Sequence, residues 1–103
     1  MATWIEVCGA DEIENEDMIP FSHSGRRFII YRSPDDQYFC TDGICTHEKV
    51  GLEDGLVIGH EIECPKHAAA FDYRTGEAIS APACIDLTTY PTKLEGDRVF
   101  IEV

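Results

Sequence analysis

Cys45-Thr46-His47 and, further along, Glu63-Cys64-Pro65-Lys66-His67 are the residues from which the rest of the chain is read. Each half offers one thiolate and one imidazole, and residues 48–63 separate the halves. Two donors one or two residues apart can reach a single centre from a tight loop. Two such loops side by side supply two sulfur and two nitrogen ligands. A tetrahedral zinc site can use that set. So can a [2Fe–2S] cluster with two Cys on one iron and two His on the other. Zinc fingers usually pair Cys with Cys and His with His, whereas here the two types alternate. Alternation suits a two-loop cluster site, in which each loop gives one ligand to each iron.

Around these loops the pattern is all-β. Leu56-Val57-Ile58 and Glu61-Ile62-Glu63, joined by Gly59-His60, predict a small hairpin whose second strand delivers Cys64. Phe71-Asp72-Tyr73 and Glu77-Ala78-Ile79, joined by Arg74-Thr75-Gly76, predict another. Upstream, Arg27 to Arg32 and Gln37 to Thr41 flank the turn Ser33-Pro34-Asp35-Asp36, again a hairpin. Trp4 to Cys8 reads as a first strand, and the acidic run from Asp11 to Asp17 as a solvated loop or a single helical turn. Leu87 to Leu94 and Arg98 to Val103, around Glu95-Gly96-Asp97, predict a closing hairpin. Residues 1–103 are expected to form one domain, with about 44–84 a site-bearing insertion into a small β scaffold.

The 103 residues suffice for one compact core. Hydrophobic residues at 44% and charged residues at 27% exclude a disordered chain. Asp and Glu number 20 against 8 Lys and Arg, a net charge of −12. That balance excludes nucleic acid and anionic membranes as partners, because phosphate binding needs clustered cations. No apolar run approaches the roughly 18–20 residues of a membrane span, and the first residues carry no secretory signal, so a cytoplasmic location is expected. The five cysteines are an odd number, which in a reducing compartment favours metal binding over disulfides. Cys8, Cys40 and Cys84 read as small buried hydrophobes, and His23 and His60 as surface residues. Glu12, Glu14, Glu16, Asp17, Glu53 and Asp54 read as solvated charge or, more sharply, as a docking field for basic partners. No Gly-rich dinucleotide loop and no 2-His-1-carboxylate iron site are evident, so substrate oxidation is expected to happen elsewhere.

C-x-H followed by C-x-x-H at this separation resembles the Rieske [2Fe–2S] motif. The surrounding Phe71-Asp72, Thr75-Gly76, Ala81-Pro82-Ala83 and Tyr90-Pro91 are similar to the Rieske ferredoxins of bacterial ring-hydroxylating dioxygenases, and the likeness covers nearly the whole chain. The resemblance implies a small antiparallel β-sandwich or barrel with a loop-rich cluster-binding insertion. It implies one [2Fe–2S] cluster on Cys45, His47, Cys64 and His67, covered by Pro65 and Pro82. It also implies a monomeric one-electron carrier, not an enzyme. Electrons would come from an NAD(P)H-dependent flavoprotein ferredoxin reductase and go to a terminal ring-hydroxylating oxygenase. A small Rieske subunit of another reductase complex and a structural zinc-binding interaction module are the alternatives. The chain departs from the family pattern at Ala68, where Gly is common. Val50 and Lys66 stand where respiratory Rieske proteins carry a disulfide, and Ala69 where they carry a cluster-bonding serine.

Charge arithmetic sets the expected electron affinity. Two ferric ions, two sulfides and two thiolates sum to zero when the imidazoles are neutral, whereas four thiolates would leave −2. A neutral site accepts an electron more readily, which places Rieske centres at roughly −150 to +300 mV. The low end is expected here, because the disulfide and serine are missing and the protein is strongly acidic, with Lys49 and Lys66 opposing. The His ligands are expected to make the potential fall in alkali.

Overall fold

Phe28-Ile29-Ile30-Tyr31 is apolar at consecutive positions, a pattern that suits a strand with both faces buried. The computed structural model, which describes residues 3–46, 50–65, 69–80 and 85–103, places this run in the middle of the molecule. It lies in β3 (Arg26–Arg32), flanked in one sheet by β2 (Asp17–His23) and by β4 (Tyr38–Asp42), with β9 (Thr89–Tyr90) beyond. A second sheet joins β1 (Trp4–Gly9), β11 (Arg98–Glu102) and β10 (Thr92–Glu95) in that order. A third has the order β5 (Leu56–Ile58), β6 (Glu61–Glu63), β7 (Ala70–Asp72), β8 (Ala78–Ser80). All the pairings are antiparallel. The only helical pieces among the described residues are 3₁₀ turns at Ala10–Glu12 and Leu52–Asp54. None is long and apolar enough to cross a membrane.

Two cores follow from the two faces of β3. Phe28 and Ile30 point into one, with Cys8, Ile13, Cys40, Val99 and Ile101. Ile29 and Tyr31 point into the other, with Cys45, Leu52, Ile62, Cys64, Phe71, Tyr73 and Leu87. The Tyr31 and Tyr73 rings stack with centroids 4.4 Å apart and planes 5° from parallel, which ties the middle sheet to the third. Each fully buried Phe, Ile or Leu here is worth about 1.5–3 kcal/mol. Exposed pairs such as Arg98–Glu6 contribute at most about 1 kcal/mol each, so burial decides the architecture.

The expected hairpins are present: β3–β4 closes with Arg32 opposite Tyr38, and β5–β6 with Ile58 opposite Glu61. The acidic run starts within the Ala10–Glu12 turn and ends where β2 begins. β2 itself has no counterpart in the sequence reading. It is an edge strand, half exposed, and Pro20 interrupts its apolar pattern. An edge position tolerates the missing N–H. Ser24 and Gly25, both at positive φ (52° and 76°), make the two-residue turn into β3. The expected single strand from Leu87 to Leu94 is in fact two. β9 pairs with β4, β10 pairs with β11, and Pro91 lies between them. Proline cannot donate to a continuing ladder, so the chain crosses there from one sheet to another.

Candidate metal centre

The first ligand loop leaves the end of β4. Gly43 N donates to Arg27 O at 2.9 Å, and an isolated bridge pairs Ile44 with Gly51. Inside that bridge Cys45 N donates to Val50 O at 2.8 Å. The second loop connects β6 to β7, with Glu63 opposite Ala70, and inside it Cys64 N donates to Ala69 O at 2.7 Å. Both loops therefore open on a cysteine whose amide closes onto the carbonyl the same number of residues ahead.

Cys45 and Cys64 are 0% and 2% exposed, packed in one core with Leu52, Ile62, Ala69 and Phe71. His47 and His67 lie outside the described residues, as do Lys49, Lys66, Ala68, Pro82 and Cys84. Among the described residues no three His, Cys, Asp or Glu side chains converge to hold a metal ion. The described half of the donor set fits the implied cluster: two thiols, dry on the protein side, at matched positions in neighbouring loops. A lone thiol at that depth would be an ordinary core residue. Val50 packs against the same core, and Ala69 is buried there without a hydroxyl.

A third segment borders the site. Thr46 Oγ1 donates to Ile85 O at 2.7 Å, joining the first loop to residues 85–88. That segment is held by Leu87 N to Gly76 O (2.7 Å), Ala78 N to Asp86 Oδ1 (2.9 Å) and Asp42 N to Thr88 O (2.9 Å). Pro65 and Ile85 are both exposed at this end of the molecule, Ile85 to 61%. Beside Cys64 a notch of about 310 Å³ is lined by Asp54, Gly55, Leu56, Glu63 and Pro65. Its two carboxylates put negative charge next to the site.

The other cysteines behave as the sequence predicts where they are described. Burial pushes the Cys40 thiol up to about 12 and raises Cys8 as well, so both stay protonated and unreactive. His60 is less ordinary than expected: its Nε2 meets Asp35 Oδ1 at 3.3 Å, and Tyr73 donates to the neighbouring Gly59 O at 2.7 Å. Several acidic residues read as free surface charge also have local partners. Glu12 accepts from Gly9 N at 2.6 Å, Glu16 accepts from Gly59 N at 2.7 Å, and Glu53 pairs with Arg27. Sequence spacing gives no sign of such pairings across 43 or 26 residues.

Comparison with known proteins shows the family of the chain. The Rieske [2Fe-2S] domain family matches residues 3–91. The ferredoxin component of the naphthalene 1,2-dioxygenase system of Pseudomonas aeruginosa is 37% identical over 100 residues, covering 97% of this chain and 95% of that protein. The Sphingomonas yanoikuyae B1 ferredoxin superposes with a TM-score of 0.90 at 30% identity, covering 98% of this chain and 99% of its own. A chain from the complex of reduced oxygenase and oxidized ferredoxin in carbazole 1,9a-dioxygenase superposes with a TM-score of 0.91 at 29% identity, covering 95% and 91%. With the family matched over most of its length and a relative similar nearly end to end, this chain belongs to the Rieske [2Fe-2S] domain family.

Proposed function

We propose that this chain is the ferredoxin component of an aromatic-ring dioxygenase system, an electron carrier and not itself an enzyme. It takes single electrons from an NAD(P)H-dependent flavoprotein reductase and delivers them to a terminal oxygenase. The reading is carried by the near end-to-end likeness to a dioxygenase-system ferredoxin component. The oxygenase as acceptor is supported by the solved complex in which a similar ferredoxin accompanies its oxygenase. The reductase is inferred from the likeness to components of multicomponent dioxygenase systems, in which a one-electron carrier needs a donor that feeds it.

Cys45, His47, Cys64 and His67 would hold one Rieske-type [2Fe–2S] cluster, thiolates on one iron and imidazoles on the other. When bound, the cluster supplies reversible one-electron chemistry. The chain's own residues supply position and surroundings. The amides of Cys45 and Cys64 are committed to loop closure, which fixes both sulfurs. Leu52, Ile62 and Phe71 exclude water from beneath them. Exposed Pro65 and Ile85 give a partner apolar surface at the same end. We read 1–103 as one monomeric domain with 44–84 as its cluster-binding part. Support comes from β4 and β9, which pair with each other on either side of that segment.

Visible and EPR spectra of the purified chain test this reading. A coloured protein with two irons and two sulfides, giving a rhombic signal of low average g when reduced, is expected. A colourless protein holding one zinc would overturn it. Cys64→Ser should abolish the colour; iron and sulfide retained in that variant would remove Cys64 from the ligand set.

A further inference from the structure

Arg27 touches both stems of the first ligand loop. Its backbone carbonyl accepts from Gly43 N at 2.9 Å on the entering stem, and Gly43 O in turn accepts from Leu52 N at 2.8 Å on the leaving stem. Its guanidinium pairs with the carboxylate of Glu53, which sits on the 3₁₀ turn that ends the same loop. The carboxylate folds back over Gly51, so that a Cβ added at position 51 would overlap it. Gly51 is the residue bridged to Ile44, next to Cys45. The pair therefore sits at the neck of the loop. Arg27 is anchored in β3 of the middle sheet and Glu53 belongs to the loop itself.

Glu53 also carries an unexplained feature. Among the described residues its Oε1 is a buried side-chain oxygen with no hydrogen-bond partner, although the side chain as a whole is 24% exposed. A half-satisfied carboxylate is costly to hold in place, and such exceptions call for a reason. Nothing in the packing of the two cores requires an acid at this position. Here the tether to Arg27 holds the negative charge at the neck of the loop while largely neutralising it.

We propose that Arg27 and Glu53 form a charge-compensated clamp on the neck of the first ligand loop, positioning Cys45 and keeping the charge there balanced, so that neither partner alone shifts the electron affinity of the site. The proposal rests on the reading that this loop supplies two of the four ligands of a [2Fe–2S] cluster. Two consequences separate the clamp from a merely structural ion pair. Removing the cation leaves the carboxylate uncompensated, which opposes the addition of an electron. Removing the carboxylate leaves the guanidinium uncompensated, which favours it. The two effects have opposite signs, whereas loosening alone would move both variants the same way. Arg27 is 49% exposed, so each shift should shrink as salt rises and screening grows.

The test measures the midpoint potential and the rate of bleaching by an iron chelator in Arg27→Gln, Glu53→Gln, the double variant and Arg27→Lys. The potential should fall in Arg27→Gln, rise in Glu53→Gln and return towards the parent value in the double variant. Bleaching should be faster in all three. Arg27→Lys keeps the charge and should keep the parent potential. Unchanged potentials, or shifts of the same sign in the two single variants, would overturn the clamp. A parent protein without the Rieske EPR signal would instead defeat the cluster reading on which the clamp depends, so the two failures are told apart before any variant is compared.

Discussion

Asp72 shows what one side chain does in this fold. Resemblance singles out Phe71-Asp72 and Thr75-Gly76, and the structure supplies the physics. Phe71 is fully buried under the second ligand loop. Asp72 turns the other way, and its carboxylate accepts from Arg74 N, Nε and Nη2 at 2.9, 3.1 and 2.8 Å. The Arg74 hydrogen bonds hold the Asp72 carboxyl below the usual aspartate range, against the opposing effect of burial. A carboxyl depressed in the folded state stabilises the protein above the unfolded aspartate value, near pH 4, and that contribution disappears as pH falls through the lower folded value. Urea unfolding followed from pH 6 downward should therefore show an acid loss of stability that is shallower in Asp72→Asn. Identical acid slopes in the two proteins would count against this role.

At the scale of elements, the β7–β8 turn and the segment 85–88 depend on one glycine. Gly76 has φ +82°, and an added Cβ would overlap the Leu87 carbonyl. Its own carbonyl accepts from Leu87 N at 2.7 Å, the bond that seats the third segment against the site. Gly76→Ala combines backbone strain with a steric clash and should cost on the order of 2–4 kcal/mol. Gly96, at φ +61° with nothing within 4 Å, is the control. Gly96→Ala should cost only the strain, about 1–2 kcal/mol. Urea midpoints of the two variants measure the difference, and equal costs would show that the contact with Leu87 is immaterial. The motif residue Gly76 is thus needed for packing, although it stands close to the site in sequence and resemblance.

For the whole molecule the governing quantity is charge. A net charge of −12 makes a long-range field that is expected to steer a basic partner, with rates that fall as salt screens it. Pairing of Glu53 with Arg27 cancels part of that field locally, while Asp54 and Glu63 remain at the notch beside Cys64. Stopped-flow reduction of the terminal oxygenase by the reduced carrier should slow steadily from low to moderate ionic strength. A flat salt profile would remove steering from the account and leave apolar contact around Pro65 and Ile85 as the basis of encounter.

Local chemistry was enough, from the residues alone, to reveal the alternating Cys and His pairs and the β3–β4 and β5–β6 hairpins. Each of these depends on neighbours within a few positions, where side-chain type and turn residues act directly. β2 escaped notice because an exposed edge strand containing Pro20 has a weak apolar alternation. The switch of sheets at Pro91 was hidden because its two flanking strands find their partners far away in sequence. Only the tertiary structure brought Tyr31 onto Tyr73, Thr46 to Ile85 and Arg27 to Glu53. Those contacts join separate hairpins, so their formation depends on how the sheets stack over two shared cores, which no local pattern encodes.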